Sequence, residues 1–173
     1  MTIAGKNIIL RTVLEEDAKY IVDLRKNENK NKYLSSVSSS VQDQKNWIKK
    51  YKIREEIGDE FYFVIEGKIS KERLGLVRLY DLRQDSFCWG SWIIEDGAPK
   101  STAIESALQV YEFGFNKLGY KKSHFNVSRG NDRVLAFHLR FGAVIVDENN
   151  SDTLLEYKKE VYELIKLRYK KYL

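Results

Sequence analysis

The residues best suited to chemistry in this sequence surround a turn between a predicted strand and a predicted helix. The strand covers residues 87–94, and the helix covers residues 101–118, where apolar side chains recur at three- and four-residue steps. The first amides of a helix lack internal partners and lie at the positive end of its dipole. A phosphate group fits such a position, so the turn is a candidate anion site. An ordinary turn capped by Ser101 is the alternative.

Five residues of this turn have properties that help to hold an anion: Gly97, Ala98, Lys100, Ser101 and Thr102. The two small residues keep the backbone approachable. The lysine adds a positive charge, and the serine and threonine add hydroxyl donors. Together they predict a site for a ligand that contains phosphate.

A second helix start is predicted at Asn131, and this helix ends at Phe141 before Gly142. An asparagine at a helix start can accept a hydrogen bond from an amide that has no other partner. Arg129 and Arg133 flank it and are candidates for phosphate contacts, with plain surface arginines as the alternative.

His138 lies on the face of this second helix that also carries Val134, Leu135 and Phe141. A histidine can donate a proton near neutral pH, so it is a candidate general acid. The alternative is a core histidine whose ring bonds to the backbone. Cys88 has no histidine at an arguable spacing, which favours a buried structural thiol. Two histidines and one cysteine are too few for a persuasive zinc site, so no metal is expected.

The elements that must position these residues follow from apolar periodicity and turn signals. Strands are predicted at residues 7–13, 61–65, 74–80, 87–94, 124–127, 144–146 and 153–157, and helices at residues 17–26, 40–51, 101–118, 131–141 and 161–169. Residues 87–94 are apolar on both sides, with Phe87, Trp89 and Ile93 expected on one face. Such a strand belongs in the middle of a sheet covered on both faces. Residues 35–40 form either a polar surface loop or a substrate-side lid.

Length and composition limit the possible functions. The 173 residues, without a linker or repeat, predict one domain over residues 1–173. The net charge of +5 suits anionic small molecules, but no nucleic-acid recognition motif accompanies it. The single cysteine excludes an intrachain disulfide. No apolar stretch approaches the ~18 residues of a membrane span and no signal-peptide layout is present, so no membrane partner and a cytoplasmic location are expected.

The order of these elements resembles the GNAT superfamily of acetyltransferases over nearly the whole chain. Members carry Arg/Gln-x-x-Gly-x-Gly/Ala at the turn after the central strand, and this motif holds the pyrophosphate of acetyl-CoA. Glu105 aligns with a glutamate common in ribosomal-protein-acetylating members. This alignment puts Pro99, Lys100 and Ser101 where Gly-x-Gly is usual, with no Arg or Gln before them. Pro99 also removes one amide donor from the turn.

Two further segments carry the resemblance. The helix from Asn131 to Phe141 and Gly142 matches the family's Asn-(x)n-Tyr-x-x-x-Gly-Phe ending in order and spacing. The opening of the branches that acetylate ribosomal proteins and amino sugars is matched by residues 9–11, 17–18, 24–27 and Trp47.

The resemblance implies an α/β (α+β) fold with a mixed central sheet of about six or seven strands, helices on both faces and a splayed central strand. It implies transfer of an acetyl group from acetyl-CoA, the acyl-donor substrate, to a primary amine. The mild positive charge favours a nucleotide-linked amino sugar as the small-molecule acceptor. The alternatives are a protein N-terminus, as in the ribosomal-protein type, and a non-catalytic acyl-CoA-binding module. A homodimer is compatible with this family.

The resemblance also places the donor along the central strand. A backbone amide within residues 91–95 would bind the carbonyl oxygen, which points to Ser91. The pantetheine arm would run beside Ile93 and Ile94. Gly90 suits a bulge or a close backbone approach at the same place.

Proton transfer is assigned less completely by the resemblance. The usual general acid is a tyrosine four residues before the glycine of the Gly-Phe ending, and His138 occupies that position here. Related enzymes often have a glutamate on the central strand two residues before its glycine, where this sequence has Cys88. No carboxylate base is therefore found, and the proton of the amine would leave through water or before the amine binds.

Overall fold

A computed structural model describes residues 1–27, 32–33 and 40–173 of the chain. The predicted loop or lid at residues 35–39 lies outside the described residues. Ser40 caps the helix that follows, because its hydroxyl accepts a hydrogen bond from the amide of Asp43 at 3.2 Å. No described helix combines the length and the apolar character that crossing a bilayer requires.

The described residues form eight strands and five α-helices. The strands are β1 (Thr2–Ala4), β2 (Ile8–Thr12), β3 (Phe61–Gly67), β4 (Arg73–Tyr80), β5 (Ser86–Ile94), β6 (Lys122–Ser128), β7 (Val144–Glu148) and β8 (Asp152–Lys158). The helices are α1 (Ala18–Lys26), α2 (Val41–Glu56), α3 (Thr102–Tyr111), α4 (Asp132–Arg140) and α5 (Lys159–Ile165). A π-helical segment (Glu112–Lys117) extends α3, and 3-10 turns precede α1 (Glu15–Asp17) and follow α5 (Lys166–Tyr172).

The strands form one open sheet in the order β1-β2-β3-β4-β5-β6-β8-β7. Every neighbouring pair is antiparallel except β5 and β6, which are parallel. The expected mixed sheet with helices on both faces is therefore confirmed. The strand beyond the expected six or seven is β1, which has only three residues and so shows no alternating pattern in the sequence.

Helices cover both faces of the sheet. The α2 face lies under α1 and α2, and its core includes Ile21, Ile48, Tyr51, Tyr62 and Val64. The α3 face lies under α3, α4 and α5, and its core includes Phe87, Trp89, Tyr111, Phe125, Phe141 and Tyr162. Burial of each such side chain stabilises the fold by about 1.5–3 kcal/mol. The central strand β5 separates these two cores.

The buried carboxylate of Glu105 holds helix α3 against the start of β2 through hydrogen bonds. Oε1 of Glu105 accepts hydrogen bonds from the amides of Asn7 at 2.6 Å and Ile8 at 3.0 Å. Oε2 accepts a third bond from Nδ2 of Asn7 at 3.0 Å. One turn later, Nε2 of Gln109 donates to the carbonyl of Ile8 at 3.3 Å. These contacts fix where the first turn of α3 lies relative to the sheet.

Candidate active site

The two parallel strands at the centre of the sheet separate soon after they meet. Their register pairs only Ser86 with Lys122 and Phe87 with Ser123. Beyond that point β5 continues beside β4 alone, and β6 continues beside β8 alone. We call the resulting V-shaped gap the splay, and its paired residues the vertex. The predicted splayed central strand is present.

A β-bulge lies in β5 along the open edge of the splay. Gly90 pairs with Arg78, and Ile93 pairs with Leu76, so two residues of β5 oppose one of β4. Ser91 has φ +47°, a left-handed conformation that is uncommon for a residue with a side chain. A bulge turns backbone groups away from the ladder, so an amide near Ser91 can meet a ligand instead of a strand. The predicted bulge beside Gly90 is therefore confirmed.

The bulge reverses the alternation that the sequence predicts for β5. Trp89 and Trp92, three residues apart, share the α3 face with ring centroids 5.3 Å apart. Nε1 of Trp92 donates to Oγ of Ser106 on α3 at 3.2 Å. Ile93 instead joins the α2-face core, so the prediction that it shares a face with Phe87 and Trp89 is wrong. Its side chain is consequently turned away, which leaves only its backbone for the predicted contact with a cofactor.

The turn after β5 presents amides without partners. Helix α3 begins at Thr102, whose amide donates to the carbonyl of Pro99 at 2.8 Å. Among the described residues, the amides of Lys100, Ser101 and Ala103 have no acceptor. The side chain of Ser101 makes no capping bond, so the alternative of a serine-capped turn lacks its defining contact. These amides are available to an anion.

The other predicted residues of the turn differ in conformation and exposure. Gly97 has φ +84° and an open surrounding, and the amide of Ala98 closes the turn onto the carbonyl of Glu95 at 3.3 Å. Lys100 is exposed. Thr102 is fully buried, and its hydroxyl has no partner among the described residues.

Helix α4 begins at the same end of the sheet, because β5 and β6 are parallel. Asn131 precedes it, but its side chain makes no capping bond, so the expected cap is wrong. Its carbonyl accepts from the amides of Val134 at 3.1 Å and Leu135 at 3.0 Å. The side-chain amide is therefore left for other contacts. Arg133 follows in the first turn of α4 and is exposed.

A cleft of about 400 Å³ lies on the β4 side of the turn, where Pro99 and Ser101 form part of its wall. Two lysines also line it, but both already donate to backbone carbonyls. Nζ of Lys6 lies 2.7 Å from the carbonyl of Lys171, and Nζ of Lys68 lies 2.9 Å from that of Gly5. The cleft therefore borders the start of α3, and both of its lysines are already paired with carbonyls.

On the α2 face, the residues beside the bulge (Tyr80, Cys88 and Gly90) are small or neutral. A Cβ added to Gly90 would lie 2.9 Å from the hydroxyl of Tyr80, so the missing side chain leaves room for that ring. Burial raises the pKa of the Cys88 thiol to about 11, and burial also raises the pKa of Tyr80. Both groups are neutral near pH 7, which agrees with the prediction that Cys88 is a buried structural thiol.

Arg78 lies next to these residues, because it pairs with Gly90 across β4 and β5. Its guanidinium lies 4.8 Å from the ring centroid of Tyr80 and 5.4 Å from that of Trp47. Nε of Arg78 bonds to one oxygen of Glu60, whose other oxygen accepts from Nε of Arg54 at 2.7 Å. Two cations thus share one buried carboxylate. The terminal nitrogens of Arg78 have no further partner among the described residues, and its side chain is 27% exposed.

With this geometry in place, comparison with known proteins decides the family. A family model described as the acetyltransferase (GNAT) domain matches residues 7–144. The chain belongs to the GNAT acetyltransferases. No curated protein matches it.

Several solved structures are similar to this GNAT acetyltransferase. It is 40% identical to apo FdhC, a nucleotide-linked sugar GNAT, with a TM-score of 0.92 over 100% of this chain and 98% of that one. A Vibrio cholerae spermidine N-acetyltransferase in complex with CoA and spermine is 19% identical, with a TM-score of 0.78 over 91% and 98%. A Vibrio fischeri ribosomal-protein-S5-alanine acetyltransferase is 12% identical, with a TM-score of 0.78 over 92% and 97%. At these low identities, the last two comparisons show a shared fold alone.

His138 of this GNAT acetyltransferase lies on the α3 face inside a cage of rings. It is 5% exposed, and the centroids of Phe125 and Trp89 lie 4.3 and 5.3 Å away. Burial lowers its pKa to about 4, and Nδ1 has no partner among the described residues. The ring is thus neutral near pH 7, which supports the core alternative over the general acid. The expected backbone bond to the ring is wrong for Nδ1.

The second histidine belongs to a polar chain that sequence reasoning missed. Nδ1 of His124 lies 2.9 Å from Oγ of Ser86, and Nε2 lies 2.9 Å from Oδ2 of Asp81. The three residues are separated by 38 and 43 positions, so no local motif connects them. His124 directly follows the vertex on β6, and its side chain is 14% exposed. Only the strand register could have revealed this contact.

Proposed function

We propose that this GNAT acetyltransferase transfers the acetyl group of acetyl-CoA to the amine of a nucleotide-linked amino sugar. The observation that carries the proposal is the splay. At its open end, which we call the mouth, α3 begins with unpaired backbone amides, and on its α2 face the terminal nitrogens of Arg78 have no partner among the described residues. The 40% identity to a nucleotide-linked sugar GNAT over the full chain supports the same acceptor class.

In the proposed complex the diphosphate of acetyl-CoA lies at the start of α3. The amides of Lys100 and Ser101 would donate to it, and the positive end of the helix would add to the attraction. The hydroxyl of Thr102 and the side chains of Asn131 and Arg133 are further candidates at this mouth. Because both helices begin at one end of the splay, a single ligand can reach them.

The pantetheine arm would continue along the open edge of β5. Beyond the vertex this edge of β5 has no strand partner among the described residues, so the arm would lie beside the strand as a further strand does. The thioester carbonyl would then meet a backbone amide at the bulge near Ser91. A donor fixed at that point stabilises the negative charge that develops on the oxygen during attack.

The reaction requires a neutral amine. Its nitrogen attacks the thioester carbon, the N–C bond forms, and the C–S bond breaks. The proton that leaves the nitrogen ends on the departing sulfur, which yields an amide and free CoA. The protein contributes the positioning of the two substrates, and such positioning supplies a large share of the rate enhancement.

Arg78 is the residue proposed to hold the acceptor. A guanidinium fixed at Nε presents its remaining nitrogens as a rigid fork, which matches the oxygens of a phosphate group. The carboxylate of Glu60 neutralises only one of the two arginines bound to it. One positive charge therefore remains beside Gly90 for the diphosphate of a nucleotide-linked sugar.

A turnover panel tests this function. The release of CoA thiol is measured with acetyl-CoA and four acceptors: a nucleotide-linked amino sugar, the same amino sugar without nucleotide, spermidine, and a peptide with a ribosomal-protein N-terminus. We expect the highest kcat/KM with the nucleotide-linked sugar. Faster turnover of the peptide would replace the proposal with the ribosomal-protein type. Stabilisation by CoA without turnover of any amine would replace it with a binding module.

A further inference from the structure

Tyr80 places a hydroxyl on the α2 face, beside the bulge where the thioester is proposed to bind. We propose that this hydroxyl positions the acceptor: its oxygen accepts a hydrogen bond from the attacking amine and directs the lone pair of the nitrogen at the thioester carbon. The inference rests on the proposed function, because it concerns the acceptor side of the same splay. It applies to any amine that the enzyme acetylates.

The hydroxyl of Tyr80 lies against the bulge rather than at the position that the strand register alone would give it. Tyr80 pairs with Cys88 across β4 and β5, yet a Cβ added to Gly90 would lie 2.9 Å from its hydroxyl oxygen. The ring therefore leans along β5 towards the bulge. Gly90 and Ser91 are consecutive, so their Cα atoms are about 3.8 Å apart. The hydroxyl is thus a near neighbour of the amide at Ser91 that is proposed to bind the thioester carbonyl.

A ligand on the α2 face can reach this hydroxyl. Tyr80, Gly90 and Ser91 are all half-buried and not enclosed. Arg78 and Tyr80 are two residues apart on β4, so their side chains point to the same side of the sheet. The guanidinium of Arg78 lies 4.8 Å from the ring centroid of Tyr80. An acceptor whose phosphates bind to Arg78 would therefore lie next to the phenol.

The phenol of Tyr80 is able to accept a hydrogen bond from an amine. Burial raises its pKa, and the neighbouring thiol of Cys88 raises it further, so the phenol keeps its proton near pH 7. The hydrogen of the hydroxyl can point to the sulfur of Cys88, which is a weak acceptor. A lone pair on the phenol oxygen then remains for an N–H of the amine, and the lone pair of the amine nitrogen stays free for the attack.

The same property makes the phenol unsuited to proton transfer. A general acid works best when its pKa is near the operating pH, whereas a tyrosine begins at about 10 and burial raises the pKa of Tyr80 above that. In the proposed step the N–C bond forms, the C–S bond breaks, and the proton of the nitrogen ends on the sulfur. Tyr80 stays neutral throughout and contributes the orientation of the amine.

Tyr80→Phe tests the inference, because it removes the hydroxyl and keeps the ring beside Arg78. We expect kcat to fall about 2- to 12-fold, which corresponds to one neutral hydrogen bond of about 0.5–1.5 kcal/mol. The KM for the acceptor should change little, because Arg78 still binds its phosphates. An unchanged kcat would overturn the proposal. A loss of about 100-fold or more would also overturn it, because such a loss is typical of proton transfer.

Tyr120→Phe is the matched control. Tyr120 is also half-buried, burial also raises its pKa, and its ring centroid lies 5.7 Å from that of Phe87 at the vertex. This hydroxyl is not at the bulge, so its removal should leave kcat unchanged. Equal losses of kcat in the two variants would contradict the role of Tyr80. Both are assayed with the best acceptor of the panel, so the inference is tested even where that acceptor is not a nucleotide-linked sugar.

Gly90→Ala approaches the same hydroxyl from β5. The added Cβ would be too close to the hydroxyl oxygen, but it would lie at an ordinary contact distance of 3.6 Å from the nearest ring carbon. The hydroxyl must therefore move, and kcat should fall. Combined with Tyr80→Phe, which has no hydroxyl to displace, Gly90→Ala should cause a much smaller further loss. Equal losses in both backgrounds would show that the methyl group blocks the acceptor directly, and they would contradict the proposal.

Discussion

The two histidines of this enzyme lie on opposite faces of the splayed strands and meet opposite surroundings. His138 is enclosed by rings on the α3 face, and Nδ1 has no partner among the described residues. His124 is held at both nitrogens on the α2 face, by a hydroxyl and a carboxylate. Burial in the apolar cage lowers the pKa of His138, so that ring resists charge. The partners of an imidazole therefore indicate its role better than its position in a family motif does.

The largest expected effect concerns the stability contribution of His138. Its pKa is about 4 in the folded state and about 6.5 in an unfolded chain, so the unfolded state binds the proton first as the pH falls. The stability associated with the neutral ring is complete above pH 6.5 and is lost towards pH 4, by about 3 kcal/mol. His138→Phe should not lose stability in this way. Urea unfolding at pH 7, 5.5 and 4 gives the free energy of unfolding of both proteins and so measures the difference.

The neighbouring Leu139→Phe is the control for that experiment. Leu139 is 41% exposed, so the variant adds the same ring on the same helix without changing the cage. It should retain the pH dependence of the wild type. If His138→Phe loses stability towards pH 4 as the wild type does, the contrast between the two faces fails.

The next effect concerns the acceptor on the α2 face. Arg78→Gln should raise the KM for a nucleotide-linked amino sugar by about 10- to 100-fold, because a charge-assisted hydrogen bond contributes about 1.5–3 kcal/mol. The KM for the free amino sugar should change little. Arg54→Gln is the matched control, because Arg54 shares Glu60 and Trp47 with Arg78. Equal increases for both acceptors would remove Arg78 from the phosphate site.

The smallest effect concerns the mouth of the splay. Lys100→Ala should weaken the binding of CoA about 2- to 5-fold, since an exposed charge near a helix end contributes about 0.3–1 kcal/mol. Pantetheine, which lacks the diphosphate, should bind equally to both proteins in a calorimetric titration. Lys117→Ala, at the opposite end of the same helical segment, should leave the affinity for CoA unchanged. A matching loss with pantetheine would show that Lys100 does not meet the phosphates.

The mouth of the splay was largely predictable from the sequence, because local signals define it. The apolar run of β5, the turn at Gly97 and the periodic helix after it are contiguous, and each follows a known pattern. The missing capping bond of Asn131 was not predictable, because a side chain that can cap a helix can also point elsewhere. The reversal of faces at Ile93 was missed because one extra residue at Ser91 shifts the alternation of everything beyond it.

The α2 face was far less predictable. Asp81, Ser86 and His124 meet because β4, β5 and β6 are neighbours in the sheet, and the pairing of β5 with β6 spans only two positions. Arg78 and Trp47 come together across a helix and a strand. Such contacts depend on register between distant segments, and a single sequence has no periodic signal for them.

The contact between Glu105 and β2 tolerates changes in side chain. Two of its three bonds go to main-chain amides, which every residue but proline supplies. A replacement of Asn7 by another residue that is not proline therefore keeps two of the three bonds that position the start of α3. A proline at position 7 or 8 would remove one of the two main-chain donors and so weaken the hold of this carboxylate on the first turn of α3.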